Sequence, residues 1–249
     1  MLPGAGLFDR HAKYHSNVAE TAVRLISGTS EWRTAHRGAV IGLLELSSVD
    51  NTHQSLPLND RKRETETRLS ERYRGFARSD FLELPVMAAY ARYYKRFGKT
   101  YHVLLQIESI VQKGKRLPKV SALVDANFIA EMDTLVLTAG HDVGKLQGSI
   151  CIDVAQDGDG LTQMTGTAKA IPAGDMIMRD GQGVCCSIIY GQDNRSPISA
   201  ETSHVLFVAY APVGVPADTV EAHLLLVEGH VRSVSPRAVL EQRHLLLAD

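Results

Sequence analysis

The sequence predicts an α+β fold from two observations. Up to about residue 117 most apolar residues recur at helical spacing, whereas beyond residue 134 they form short β-branched and alternating runs. Turn-forming sequences such as Asp157-Gly158-Asp159-Gly160 separate these later runs. Helices and strands that occupy different parts of a chain are typical of an antiparallel or mixed sheet with helices packed on it.

Before residue 117 the predicted elements follow from hydrophobic spacing and from chain-breaking residues. An amphipathic start leads to a strand-like run at residues 39–46, and the polar stretch 51–60, which contains a proline, predicts a loop. Pro85 is expected to break the second of three helices. The helices are predicted over residues 60–74, 79–98 and 102–113, and the amphipathic start is defined by Val18, Ala22, Leu25 and Ile26.

After residue 117 one further helix precedes the strands. Pro118 is placed to start this helix, which runs to about residue 133, and helical spacing returns at residues 217–229 and 236–246. Because no Pro/Gly/Ser-rich linker lies near residue 117, a mainly helical layer at 1–117 and an α+β core at 118–249 are expected to form one compact unit. The strands are predicted at residues 135–137, 149–154, 176–178, 184–190 and 205–210.

Composition favours a soluble, cytoplasmic protein that works without a metal or another cofactor. No apolar run reaches the roughly 18–20 residues that cross a bilayer, and the N-terminus lacks the basic-then-apolar order of a secretory signal. Three cysteines, two of them adjacent at Cys185 and Cys186, form neither a disulfide framework nor a metal-ligand spacing. The ten histidines contain no paired ligand motif.

Charge is strongly segregated, although the net charge is only −1. Residues 92–119 carry eight bases and one acid, whereas residues 120–249 carry seven bases and sixteen acids. A solvated helix face explains this pattern, and so does a surface that binds the RNA backbone, because clustered lysine and arginine contact phosphates. Both interpretations stay open. The candidate RNA-binding residues are Arg92, Lys95, Arg96, Lys99, Lys113, Lys115, Arg116 and Lys119.

A set of short motifs, taken in order, resembles a known family. They are the aromatic helix at 90–98, Leu117-Pro118, Val124-Asp125 with Asn127, residues 141–146, the turn 173–175 with Asp180, and residues 190–196 ahead of Thr202. Over about residues 88–210 the chain resembles the B3/B4 domain of the phenylalanyl-tRNA synthetase β subunit. The resemblance implies a B3/B4-like mixed or antiparallel sheet with packed helices. It also implies an editing activity that hydrolyses the ester of mischarged tRNA, with tRNA or aminoacyl-tRNA as the partner and neither a membrane nor DNA expected.

Two positions depart from the pattern of that family. Ala139 stands where the family has a histidine, three residues before the shared aspartate Asp142, and His141 lies beside that aspartate instead. Val208 falls close to the position of a glutamate that the family associates with sensing a tyrosine hydroxyl. A valine side chain accepts no hydrogen bond, so tyrosine specificity is not carried over.

Polar residues at the ends of predicted strands and helices are the candidates for a site. His141 suits a general base because histidine titrates near neutral pH, and Asp142 and Asp193 complete the candidate catalytic group. His141 and Asp142 each have a structural alternative, namely a loop histidine and a turn-forming aspartate. Asp193 and Arg195 are expected to form an ion pair that lines the pocket. The candidate substrate-binding residues are Asn127, Asp175, Tyr190 and Arg195.

Three functions stay open on the sequence. The first is hydrolysis of mischarged tRNA in trans, which follows from the resemblance and from the basic segment at 92–119. The second is a non-catalytic tRNA- or RNA-binding module with the same fold, which Ala139 and Val208 favour. The third is a hydrolase or binder of free amino-acid derivatives that uses the same pocket without tRNA.

Overall fold

The computed structural model describes residues 26–51 and 55–249, and within them it shows an α+β fold. The strands are β1 (Ile26–Gly28), β2 (Val40–Ser47), β3 (Thr138–Asp142), β4 (Ile150–Val154), β5 (Gly160–Thr162), β6 (Ala168–Ala170), β7 (Met176–Asp180), β8 (Gly183–Ser187), β9 (Gly191–Gln192), β10 (His204–Ala211) and β11 (Val239–Leu247). The helices are α1 (Ser30–Ala35), α2 (Leu56–Arg72), α3 (Arg78–Glu83), α4 (Pro85–Lys95), α5 (His102–Lys113), α6 (Ala122–Thr134) and α7 (Ala217–Val234), with a 3₁₀ turn at Val143–Lys145.

Strands β2 and β10 form the centre of a four-stranded antiparallel sheet with the order β11-β2-β10-β3. All but one residue of each central strand is buried. Strands that are covered on both faces read as continuous apolar runs, so both stand out in the sequence. Helix α7 approaches β2 closely because Gly42 has no side chain: a Cβ there would lie 2.6 Å from Val220 Cγ1.

A second sheet has the order β1-β4-β7-β8-β9. Strand β1 is parallel to β4, and the other neighbours are antiparallel. The two sheets meet where His141 of β3 bridges to Pro197, shortly after β9. This junction brings β9 next to β3 at the edge of the first sheet.

Aromatic residues fasten α4 and the start of α5 to both sheets. The rings of Tyr90 and Tyr101 stack with 4.2 Å between their centroids. The Tyr90 hydroxyl donates to the Tyr210 carbonyl of the first sheet at 2.8 Å, and the Tyr94 hydroxyl donates to the Ile188 carbonyl beyond β8 at 2.6 Å. The buried hydroxyls of Tyr90 and Tyr94 therefore both have a partner, which stabilises a buried tyrosine.

A buried ion pair joins α2 to the start of α6. Lys62 Nζ contacts the Asp125 carboxylate and donates to the Pro118 carbonyl at 2.6 Å, and both charged side chains are buried. Glu66, one turn further along α2, accepts a hydrogen bond from the Leu117 amide at 2.7 Å. These contacts cross the boundary expected at residue 117, and the division of the chain there stays a prediction.

The central strands and the break at Pro85 are confirmed, whereas the helix predicted at 236–246 is wrong. That segment is strand β11, which pairs antiparallel with β2. Its leucines, Glu241 and Gln242 favour a helix in isolation. The edge of β2, however, offers a row of backbone hydrogen-bonding groups that β11 satisfies. Tertiary pairing therefore overrides local propensity.

Helix α2 begins within the segment 51–60 that the sequence predicts to be a loop. Helix α2 begins at Leu56, because the Ser55 hydroxyl accepts a hydrogen bond from the Leu58 amide and Pro57 fits the first turn. Residues 52–54 lie outside the described part of the chain, as do Val18, Ala22 and Leu25 of the predicted amphipathic start.

Three boundaries near the predicted site differ from the sequence prediction. Helix α6 begins at Ala122, four residues after Pro118. Strand β3 begins at Thr138 instead of residue 135, because Leu135 ends α6 with a left-handed φ of 63°. Strand β8 ends at Ser187, so residues 188–190 form a turn instead of continuing a strand to residue 190.

We expect Lys62→Met to lower the free energy of unfolding by about 3–5 kcal/mol, because it leaves the buried Asp125 carboxylate without its charge partner. Urea unfolding measures this change. Arg63→Met is the matched control, since its ion pair with Asp60 is exposed and should be worth less than about 1 kcal/mol. Equal stability of the two variants would contradict the role given to the buried pair.

Candidate functional site

A cavity of about 540 Å³ lies between α6, β3, β10 and the turn that follows β8. Its wall is mainly apolar. Gly140 keeps part of this space open, because a Cβ at that position would lie 2.6 Å from Ile198 Cδ1. The apolar side chains on the wall come from all four elements and from the adjoining loops: Val120, Val124, Phe128, Leu137, Ala139, Met164, Ile188, Ile189, Ile198 and Phe207.

Thr138 holds the polar part of the wall in place. Its amide donates to Glu131 Oε1 at 2.8 Å, and its carbonyl accepts from Asn127 Nδ2 at 3.2 Å. Its hydroxyl lies 2.6 Å from His223 Nε2. Burial raises the pKa of Glu131 to about 8 and lowers the pKa of His223 to about 3. At neutral pH both groups are therefore predominantly uncharged, which suits a position behind an apolar wall.

Asp175 fixes the opposite wall from behind. Its carboxylate accepts hydrogen bonds from the Ser187 hydroxyl at 2.5 Å, from the Tyr93 hydroxyl at 2.7 Å and from the Ile189 amide at 3.4 Å. Burial raises the pKa of Asp175 to about 6. The side chain is fully buried and lies outside the cavity lining. The structure thus places this predicted substrate-binding residue where it orders the turn after β8.

His141 is buried beside the cavity and is absent from its lining. Its Nδ1 lies 2.8 Å from the Ser196 hydroxyl oxygen, and that hydroxyl lies 3.1 Å from Asp193 Oδ1. Burial lowers the pKa of His141 to about 3. Gln192, which does line the cavity, donates to the Ser196 carbonyl at 2.6 Å. The structure therefore brings His141 and Asp193 together through Ser196, behind Gln192.

Asp142 and Arg195 make other contacts. Asp142 accepts from the Thr202 hydroxyl at 2.8 Å and from the Gly144 amide at 3.0 Å, so it caps the turn after β3. Arg195 pairs with Asp193 at 2.6 Å and with Asp180 at 3.1 Å. Of the seven predicted catalytic and substrate-binding residues, the cavity lining of the described chain contains Asn127 and Tyr190. The roles predicted for all seven stay predictions.

Two lysines stand over the Tyr190 ring on the cavity wall. Lys99 Nζ lies 5.7 Å and Lys169 Nζ 6.0 Å from the ring centroid. Within the described part of the chain neither lysine has a carboxylate within ion-pair distance. Lys169 follows Lys99 by 70 residues on the hairpin β5–β6, and no sequence pattern links the two. Sequence reasoning missed Lys169 for that reason.

All eight predicted RNA-binding residues are exposed. Arg116 pairs with Glu66 at 3.1 Å, and Arg96 lies 5.3 Å from the ring centroids of both Tyr93 and Phe97. Exposure is compatible with both interpretations of the basic segment. Binding of RNA by these residues stays a prediction.

His102 also lines the cavity, and sequence reasoning missed it as well. It is the first residue of α5 and follows the basic stretch that dominates the pattern there. Its Nδ1 lies 3.4 Å from the Tyr94 hydroxyl oxygen. Only the folding of α4 and α5 against the turn after β8 places this histidine on the wall.

The model of the B3/4 domain family matches residues 87–220, which includes every element that forms the cavity. The chain belongs to the B3/4 domain family. No curated protein matches it in sequence. One structure similar to this B3/4 protein is an N-terminal fragment of the phenylalanyl-tRNA synthetase β subunit from Pyrococcus horikoshii, at 8% sequence identity and a TM-score of 0.45. The match covers 90% of this chain and 50% of that fragment, so the chain spans about half of the fragment's length.

Two further findings concern the described residues of this B3/4 protein. None of their helices has both the length and the apolar character that a membrane crossing requires. Among the same residues, no group of three or more His, Cys, Asp or Glu side chains is arranged to hold a metal ion.

The raised pKa of Glu131 predicts how stability depends on pH. Between the ordinary value of 4.5 and the folded value of about 8, the folded state keeps a proton that the unfolded state loses. Stability should therefore fall as pH rises through this range, by on the order of 1 kcal/mol per pH unit for one proton. Glu131→Gln should remove this contribution, because the amide keeps an acceptor for Thr138 without titrating.

Urea unfolding at several pH values between those two pKa values measures the slope. Glu83→Gln, on an exposed residue of α3, should leave the slope as it is in the unmodified protein. An identical pH dependence in the Glu131→Gln variant would show that Glu131 is ionised in the folded protein.

Proposed function

We propose that this B3/4 domain protein hydrolyses the ester bond of an aminoacyl-tRNA in trans. One observation supports the proposal most directly: an apolar cavity of about 540 Å³ has Tyr190 on its wall, with two lysines over that ring. In a mischarged tRNA the side chain of the amino acid, the reactive ester and the phosphate backbone lie close together. The cavity, its polar wall and the lysines correspond to these three parts in turn.

The cavity wall favours amino acids with bulky apolar side chains. Val124, Phe128 and Phe207 provide apolar contacts, and the wall carries no carboxylate within the described chain that would pair with a cationic side chain. Burial of apolar area stabilises a bound side chain by about 25 cal/mol per Å². Because a missing methylene changes affinity by only about 1–3 kcal/mol, such a cavity would accept several related side chains.

The chemistry requires few groups. An aminoacyl ester is already activated, so a positioned water, a proton acceptor and hydrogen-bond donors for the oxyanion suffice. Gln192 and Asn127 are polar residues of the wall, whereas the Ser187 hydroxyl donates to Asp175. Catalysis by so few groups needs no cofactor.

A binding module is the second candidate, and a specific observation favours it. Ala139 faces the cavity at the position where the resemblance places a histidine. The protein would then bind the acceptor end of tRNA without cleaving it. Hydrolysis or binding of free amino-acid derivatives is the third candidate, since the cavity alone would serve it.

Incubation with a panel of correctly and incorrectly charged tRNAs tests hydrolysis. We expect loss of the ester from tRNAs that carry one or a few bulky apolar amino acids. Ala139→Phe should slow this reaction by at least about tenfold, because the larger side chain fills space that the substrate needs. Esters of small amino acids should be affected less.

Ala168→Phe, on the exposed strand β6, is the matched control and should leave the rates unchanged. Tight binding of tRNA with no loss of any ester would favour the binding module. Equal rates for charged tRNA and for the free amino-acid ester would exclude recognition of RNA and favour the third candidate.

The position of Lys99 and Lys169 over Tyr190 predicts that both lysines contribute to tRNA binding. We expect the double variant Lys99→Met/Lys169→Met to weaken tRNA binding and to reduce the slope of log K against log salt by roughly 1.4, because each contact with a single-stranded phosphate contributes about 0.7. Binding titrations over a range of salt concentrations measure this slope.

Arg74→Met/Arg237→Met removes the same charge at two exposed positions outside the cavity wall and should leave the slope unchanged. If both double variants reduce the slope equally, net charge is the cause, and no contact at Tyr190 is needed to explain binding.

A further inference from the structure

Among the described residues, His102 is the only histidine that lines the cavity, and no aspartate or glutamate lines it. The residue is exposed, in contrast to the fully buried His141. A proton acceptor for a water in the cavity must itself reach the cavity. Position alone therefore favours His102 over His141 as a proton acceptor for such a water.

The hydrogen bonds of Tyr94 favour one of the two neutral tautomers of His102. The Tyr94 hydroxyl donates its single proton to the Ile188 carbonyl at 2.6 Å. Its oxygen can then only accept from His102 Nδ1, which lies 3.4 Å away. This geometry favours the neutral tautomer that is protonated on Nδ1, and none of the described residues forms a hydrogen bond with Nε2.

The surroundings keep the ring neutral. Desolvation by the surrounding protein atoms lowers the pKa of His102 from its ordinary value, although the residue as a whole is exposed. The residue begins the twelve-residue helix α5, and the positive end of a helix dipole disfavours an imidazolium. The titratable groups packed against the ring are Tyr94 and Tyr101. Burial raises the pKa of both phenols, so they add no charge.

The other reactive groups, Cys186 on the cavity wall and His141 beside the cavity, suit this step less well. Burial raises the pKa of the Cys186 thiol to about 12, so the thiolate is not populated at neutral pH. His141 Nδ1 is engaged with Ser196, and its Nε2 is buried without a partner. Neither group offers both an available lone pair and access to the cavity.

We propose that His102 is the general base of the ester hydrolysis, a proposal that rests on the proposed function. Nε2 takes a proton from a water whose oxygen attacks the ester carbonyl carbon. The tetrahedral intermediate collapses as the bond from that carbon to the ribose oxygen breaks. The imidazolium returns its proton to the ribose oxygen, so that free amino acid and tRNA with a free hydroxyl leave, and His102 is neutral again.

The test compares single-turnover hydrolysis of the charged tRNA that the unmodified protein cleaves fastest. His102→Gln and His102→Ala should each lower the rate constant by about 10²–10⁴-fold, with tRNA binding and thermal unfolding unchanged. Free imidazole should restore part of the rate in His102→Ala, after subtraction of its reaction with the ester alone. A merely structural role would not give this rescue.

His244→Ala, on an exposed residue of β11, is the matched control and should keep full activity without responding to imidazole. Unchanged hydrolysis in both His102 variants would overturn the proposal and leave the proposed function standing. A rate that falls without rescue by imidazole, together with weaker tRNA binding, would also overturn it in favour of a binding role. No hydrolysis of any charged tRNA by the unmodified protein would remove the proposed function and His102 as its base together.

Discussion

The cavity depends on which groups form hydrogen bonds with the backbone of strand β3. On one side β3 pairs with β10 from Thr138 to Asp142. On its other edge the partners are not a strand. Glu131 accepts from the Thr138 amide, and Pro197 bridges to His141. A neighbouring strand on that edge would occupy the space that the cavity fills. Side chains and one bridge instead supply the partners that buried backbone groups require.

Two buried carboxyl groups form hydrogen bonds of this kind, one behind each wall of the cavity. Glu131 orders the first residue of β3, and Asp175 orders the turn after β8 through Ser187 and the Ile189 amide. Burial raises the pKa of each. A carboxyl group that gives up solvation in exchange for hydrogen bonds holds its neighbours more firmly than a mobile surface group would. The cost in stability of burying these groups is therefore linked to the shape of the cavity.

The sequence predicts what depends on local spacing and misses what depends on assembly. The continuous apolar runs of β2 and β10 and the break at Pro85 are visible because each is decided within a few residues. Strand β11 is decided by the edge of β2, nearly 200 residues earlier, and so the local pattern suggested a helix. His102 reaches the cavity wall, and Lys169 reaches the Tyr190 ring on that wall, for the same kind of reason. The fold brings each to Tyr190 or its wall, and neither lies in a motif.

Ala139 and Val208, at or near which the resemblance to the synthetase domain is incomplete, are direct partners across β3 and β10. Both residues therefore lie at one place in the sheet, where two apolar side chains meet. His102, the general base proposed above, reaches the cavity wall from α5 and does not depend on either position. A reaction requires a group at the right position in space, and the element that carries the group is secondary. An imidazole supplied by a helix can thus do the work of one supplied by a strand, provided that the contact of Tyr94 with Nδ1 of His102 leaves Nε2 of His102 free.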